Sequence, residues 1–128
     1  MPIRILVRDS YETIEILDRI RKHLGDKAIC HARDIPMSVK IDIFFLSGQD
    51  LINSPMLAKN LVAKSGTPGA KVVAVSSMDH YLEAIRMNPG FGVDFCIPKR
   101  DILQGYRTDN TQCDIEAVLN PILASMQQ

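Results

Sequence analysis

The chain has no surplus of either charge. Its 15 Lys and Arg balance 15 Asp and Glu, so it lacks the basic footprint that draws proteins to nucleic acid or to anionic membrane surfaces. Long apolar runs are missing too: nothing approaches the ~20 residues of a membrane-spanning helix. Met1-Pro2-Ile3-Arg4 leads straight into a strand-like run, so no signal peptide is expected. The three cysteines, at 30, 96 and 113, are an odd number without metal-ligand spacing. Cys30 and Cys96 lie inside apolar runs and read as reduced, buried thiols. His23, His31 and His80 are scattered with no partner at ligand spacing, so none is assigned to a metal. Tyr11-Glu12-Thr13 after the first strand is no glycine-rich phosphate loop, and a nucleotide or flavin cofactor has no support. These absences lead to the expectation of a cytoplasmic protein without cofactor or metal that contacts neither nucleic acid nor membrane.

What is present describes a single globular domain over 1–128, with 46% apolar residues to build a core. Strand-like runs at 3–8, 28–32, 42–47, 71–76 and 93–97 alternate with helical patterns, which predicts an α/β domain with a mostly parallel sheet. Ile14, Leu17, Ile20 and Leu24 recur at helical spacing from Tyr11 onward, and Gly25 stops that helix. Ser54-Pro55 marks a helix start, with Met56, Leu57, Leu61 and Val62 as its apolar stripe. Gly66-Thr67-Pro68-Gly69 reads as a turn, Asp79–Met87 as a helix and 104–113 as a loop. The last helix carries Ile115, Val118, Leu119, Ile122, Leu123 and Met126 on one face, with Pro121 predicted to kink it. Only Arg33 to Ile41, interrupted by Pro36, joins the second and third strands, less than the dozen or so residues of a usual parallel crossover. The second helix is therefore expected to be shortened or absent.

Each apolar run stops at a polar residue. Ile5-Leu6-Val7 leads to Arg8-Asp9-Ser10, Ile43-Phe44-Phe45-Leu46 to Ser47-Gly48, Val72-Val73-Ala74-Val75 to Ser76-Ser77, and Val93-Asp94-Phe95-Cys96-Ile97 to Pro98-Lys99. In an open parallel sheet the carboxyl ends of the strands share one edge, where ligands bind. An Asp, two small hydroxyl residues and a Lys are thereby brought to one crevice.

In this order and spacing the chain resembles the receiver domains of bacterial response regulators (CheY-like) over nearly its whole length. The resemblance implies a flavodoxin-like, doubly wound, five-stranded parallel sheet in the order 2-1-3-4-5. The first and last helices would lie on one face, the third and fourth on the other. Asp9 and Ser10 match the acidic pair after the first strand, with serine in place of one acid. Ser47 stands at the phosphoacceptor position, Ser76 at the Thr/Ser position and Lys99 at the lysine, while Arg100 follows it where the family has proline. The switch aromatic of the last strand falls on Cys96. Serine cannot form an acyl phosphate, and one carboxylate remains of the usual three, too few for a hard divalent cation. Acceptor, metal and switch are degraded together, which implies a pseudo-receiver with a vestigial site at Asp9, Ser10, Ser47, Ser76 and Lys99.

The residues admit plainer readings as well. Asp9 with Glu12 three residues later also forms a capping box, Lys99 also fits as a partner of Asp9, and Asp50 is either a substitute carboxylate or a solvated turn residue. Met78 and Met87 sit either in the core or on an adaptable contact surface. Two functions follow. The first is a non-enzymatic signalling domain that acts by phosphorylation-independent contact with a protein partner or a second copy of itself. The alternative is a small flavodoxin-like enzyme, or a module that binds an anion or small molecule through Ser47, Ser76 and Lys99.

Overall fold

Runs of β-branched and aliphatic residues form five strands in the computed structural model, which describes residues 2–9, 11–36, 38–103 and 115–126. The strands are β1 (Ile3–Arg8), β2 (Ala28–Ala32), β3 (Ile41–Ser47), β4 (Gly66–Ser76) and β5 (Phe95–Pro98). Six α-helices accompany them among the described residues: α1 (Thr13–Leu24), α2 (Gly48–Asn53), α3 (Leu57–Ser65), α4 (Asp79–Arg86), α5 (Lys99–Leu103) and α6 (Ile115–Ser125). All neighbouring strands pair in parallel, in the order β2-β1-β3-β4-β5. The doubly wound sheet expected from the sequence is therefore the one observed, including a parallel second strand.

Alternation along the strands divides the core in two. Ile5, Val7, Ile43, Phe45, Val73 and Val75 face α1, α5 and α6, where Ile16, Leu17, Ile20, Ile102, Leu119 and Ile122 meet them. Leu6, Phe44, Leu46, Val72 and Ala74 face the other way, onto Leu51 of α2, Ala58 of α3 and Leu82 and Ile85 of α4. Each fully buried Leu, Ile or Phe contributes about 1.5–3 kcal/mol relative to exposure, so the two layers hold the strand ends rigidly in register.

Several local expectations need correction. Helix α1 begins at Thr13, not Tyr11, and its buried stripe is Thr13, Ile16, Leu17, Ile20 and Leu24. Ile14 falls off that stripe and is exposed. The chain enters α2 directly from Ser47, so Ser54 closes a helix instead of opening one: its N–H donates to the Asp50 carbonyl at 2.9 Å. Helix α3 then starts at Leu57, leaving Met56 exposed. Gly48 permits this path, because a Cβ there would lie 2.9 Å from the Cβ of Ser76. Gly66-Thr67-Pro68-Gly69 belongs to β4, not to a turn. Pairing jumps from Ile41↔Gly66 to Ile43↔Lys71, and this irregularity accommodates Pro68 and the positive φ of Gly69. Asp50 lies in α2 and not in a turn, Cys30 and Cys96 are half-buried instead of buried, and β5 starts two residues later than expected.

Residues 33–36 and 38–40 cross from β2 to β3 without a helix among the described residues, as the short connection predicted. Pro121 lies inside α6, and the 104–113 segment is outside the described residues.

Candidate functional site

The register carries the polar strand ends to one edge. Arg8 pairs with Leu46, Ser47 with Val75, and Ser76 with Pro98. Asp9 follows β1 directly, and Lys99 opens α5 at the end of β5. Asp9, Ser47, Ser76 and Lys99 are all buried there, at 5%, 6%, 6% and 8% exposure. Ser10, the fifth residue of the sequence-derived site, is outside the described residues.

Asp9 is the hub of this edge. Its Oδ2 accepts hydrogen bonds from Lys99 Nζ at 2.9 Å and from the backbone N–H groups of Glu12 at 2.9 Å and Tyr11 at 3.2 Å. The cap and ion-pair readings of Asp9 thus coexist on one oxygen. The return bond of the expected capping box does not come from Glu12. Thr13 Oγ1 accepts from the Asp9 N–H at 2.9 Å and donates to the Asp9 carbonyl at 2.6 Å. Glu12 instead turns its Oε1 toward Lys99 Nζ, at 3.5 Å. The role of Thr13 escaped the sequence reading, although a hydroxyl residue four positions after a strand-end Asp is a legible signal for it.

The two serines differ in use. Ser76 Oγ accepts from the Met78 N–H at 3.0 Å, which turns the chain toward α4. Ser47 occupies the cap position of α2, and its side chain makes no capping bond. Cys96, at the switch position, pairs with Ala74 and packs half-buried with the core layer that includes Phe91. Burial raises its thiol above the ordinary value, with Arg86 pulling weakly the other way, which disfavours the thiolate. Above these residues opens a cleft of about 520 Å³ lined by Arg8, Asp9, Arg33, Asp34 and Asp50.

The described residues of this edge do not form a site for a divalent cation. Asp9 Oδ1 is buried without a hydrogen-bond partner and offers one oxygen. Its twin Oδ2 already holds an ammonium at 2.9 Å, which repels a cation. No group of three His, Cys, Asp or Glu among the described residues is placed to hold a metal. Magnesium needs several oxygen ligands, carboxylates among them. A Ser–Lys nucleophile and base is also poorly served, since Lys99 is engaged by both Asp9 and Glu12.

Comparison with known proteins agrees with this architecture. The sequence matches no known family's model and no curated protein. Its structure is similar to the crystal structure of a response regulator from Thermotoga maritima, with a TM-score of 0.62 at 13% identity over 100% of both chains. It is also similar to a CheY-like response regulator from Mesorhizobium loti, with a TM-score of 0.57 at 13% identity, covering 98% of this chain and 99% of that one. The likeness is one of fold: this is the five-stranded, CheY-like receiver architecture. No helix among the described residues is long and apolar enough to cross a membrane.

Proposed function

We propose that the chain is a pseudo-receiver, a non-enzymatic signalling domain that keeps the receiver scaffold and acts through phosphorylation-independent contact with another protein or a second copy of itself. The observation that carries this reading is the Asp9–Lys99 pair, closed at 2.9 Å inside the crevice with serine at the acceptor position. A lysine already paired with two carboxylates of its own chain has less to offer an incoming phosphoryl group, and a serine there forms no acyl phosphate.

Contact with a partner is supported by the surface around α4. Met78 and Met87 flank that helix and are both exposed. Flexible, polarizable methionines at the two ends of a short helix suit an adaptable protein contact. The test is a titration of the isotopically labelled protein with acetyl phosphate or beryllofluoride in the presence of magnesium. The amides around Asp9, Ser47 and Lys99 are expected to stay where they are. A magnesium-dependent displacement of those signals would overturn the phosphorylation-independent reading.

A further inference from the structure

The flank between β2 and β3 holds a second recess. Where a crossover helix is usual, the connection lies flat beside α3 and leaves a cavity of about 600 Å³, within the size range of small-ligand sites. Arg8, Arg33, Lys40 and Lys64 line it against the single carboxylate of Asp34. Four cations against one anion is a local excess of three on a chain whose formal net charge is zero. Ile35, Val39 and Leu61 supply an apolar wall.

The two arginines are neighbours by construction of the sheet. Val7 pairs with Ala32, and the Arg33 N–H donates to the Val7 carbonyl at 2.8 Å, so Arg8 and Arg33 leave adjacent strand ends together. Neither guanidinium enters an ion pair among the described residues. Lys40 is fixed by donation to the Lys64 carbonyl at 3.2 Å, in the last turn of α3. Arg33 and Ser38 hold φ values of 66° and 68°, the two positive values at non-glycine residues among those described. Both lie on this one connection, and such backbone persists only where its surroundings hold it in place.

We propose that this recess binds a small organic phosphate, its head held by the forks of Arg8 and Arg33 and an apolar body laid on Ile35, Val39 and Leu61. Paired guanidinium forks suit phosphate oxygens bidentately, and an excess of three positive charges favours a doubly charged head over a single carboxylate. The anion goes to the flank and not to the strand-end crevice. There the same two arginines face three carboxylates, Asp9, Asp34 and Asp50. This site is separate from Ser47, Ser76 and Lys99 and does not depend on the signalling role.

The test is a titration of the labelled full chain with phenyl phosphate, alongside inorganic phosphate, for wild type, Arg8→Gln, Arg33→Gln and Arg33→Lys. Phenyl phosphate should give saturable shifts at Arg33, Asp34, Ile35 and the last turn of α3. Each glutamine variant should weaken binding at least about tenfold, Arg33→Lys less so, and inorganic phosphate should bind more weakly than phenyl phosphate. Thermal melting of each variant checks that it is folded. The proposal is overturned by the absence of saturable shifts up to about 10 mM, by shifts confined to Asp9, Ser47 and Lys99, by equal affinity for both phosphates, or by unchanged affinity in the folded glutamine variants.

Discussion

The strand-end crevice and the flank beside it share Arg8, Arg33 and Asp34 but settle their charges in opposite ways. Beneath the crevice, Asp9 and Lys99 have side chains only 3% and 11% exposed and meet at 2.9 Å. On the flank, exposed cations outnumber the one carboxylate four to one. The difference follows from burial. An unpaired buried charge costs several kcal/mol, so a lysine buried in this crevice is stable only beside a carboxylate of its own chain. Exposed cations bear little such cost and remain available to a ligand. The strand-end crevice has its charges turned inward, and the flank, without a crossover helix among the described residues, presents them outward.

Breaking the buried pair should give the largest effect. Lys99→Met leaves the Asp9 carboxylate buried without its countercharge and is expected to cost about 3–5 kcal/mol, read as a shift in the urea midpoint. Adding Asp9→Asn to it should recover much of the loss, since the charge goes and one side-chain oxygen still accepts from Tyr11 and Glu12. A cost below the ~1 kcal/mol of an exposed pair would show that the crevice is not closed in the way described.

Gly48→Ala probes the packing above that pair. The added Cβ meets the Cβ of Ser76 at 2.9 Å, and overpacking of this kind costs about 1–3 kcal/mol. In a Ser76→Gly background, which already lacks the hydrogen bond to Met78, the further cost of Gly48→Ala should be mostly gone in the same urea measurement.

Arg33→Gly sharpens the contrast from the flank. Glycine accepts the φ of 66° without strain but gains freedom in the unfolded chain, so stability should rise by no more than about 1 kcal/mol. Thermal melting should thus improve while phenyl phosphate binding is lost. A residue whose removal stabilises the fold and abolishes binding is the signature of a strained binding site.

The smallest effect concerns His31 on the edge strand β2. Burial, and then the nearby Arg4, hold its pKa below the ordinary 6.5. Between that lowered value and 6.5, the unfolded chain takes up a proton that the folded chain refuses. Stability should therefore fall as pH drops through about 6.5 and level off below the folded value. His31→Gln should flatten this dependence when denaturant midpoints are compared from about pH 8 to about pH 5.

Much of this molecule was legible in the sequence because its signals are local. Apolar runs that end in Asp9, Ser47, Ser76 and Lys99 announce strands with polar carboxyl ends, and parallel pairing then carries those ends to one edge. The missing crossover helix was visible in the short, proline-interrupted stretch from Arg33 to Ile41. What escaped notice depends on neighbours distant in sequence. Helix α2 spans six residues, of which only Gly48 and Leu51 are buried, and its path depends on the contact between Gly48 and Ser76. Glu12 was expected to complete a cap, but Lys99, 87 positions away, draws its carboxylate and leaves the cap to Thr13. Arg8 and Arg33 are brought to adjacent strand ends only by the β1–β2 register.

The central proposal is that this crevice derives from a receiver pocket, with serine at 47, and at 10 in the sequence, where the family carries carboxylates, and with Lys99 turned to Asp9. It is tested most directly by thermal melting of wild type and the double variant Ser10→Asp, Ser47→Asp across a magnesium titration. The wild type should melt at the same temperature throughout. Without magnesium the double variant should melt lower, because the two added carboxylates repel Asp9 and the other acids lining the crevice. Added magnesium should restore it by binding the folded state alone. Equal responses of the two proteins to magnesium would contradict the claim, leaving the receiver fold in place without the receiver's pocket.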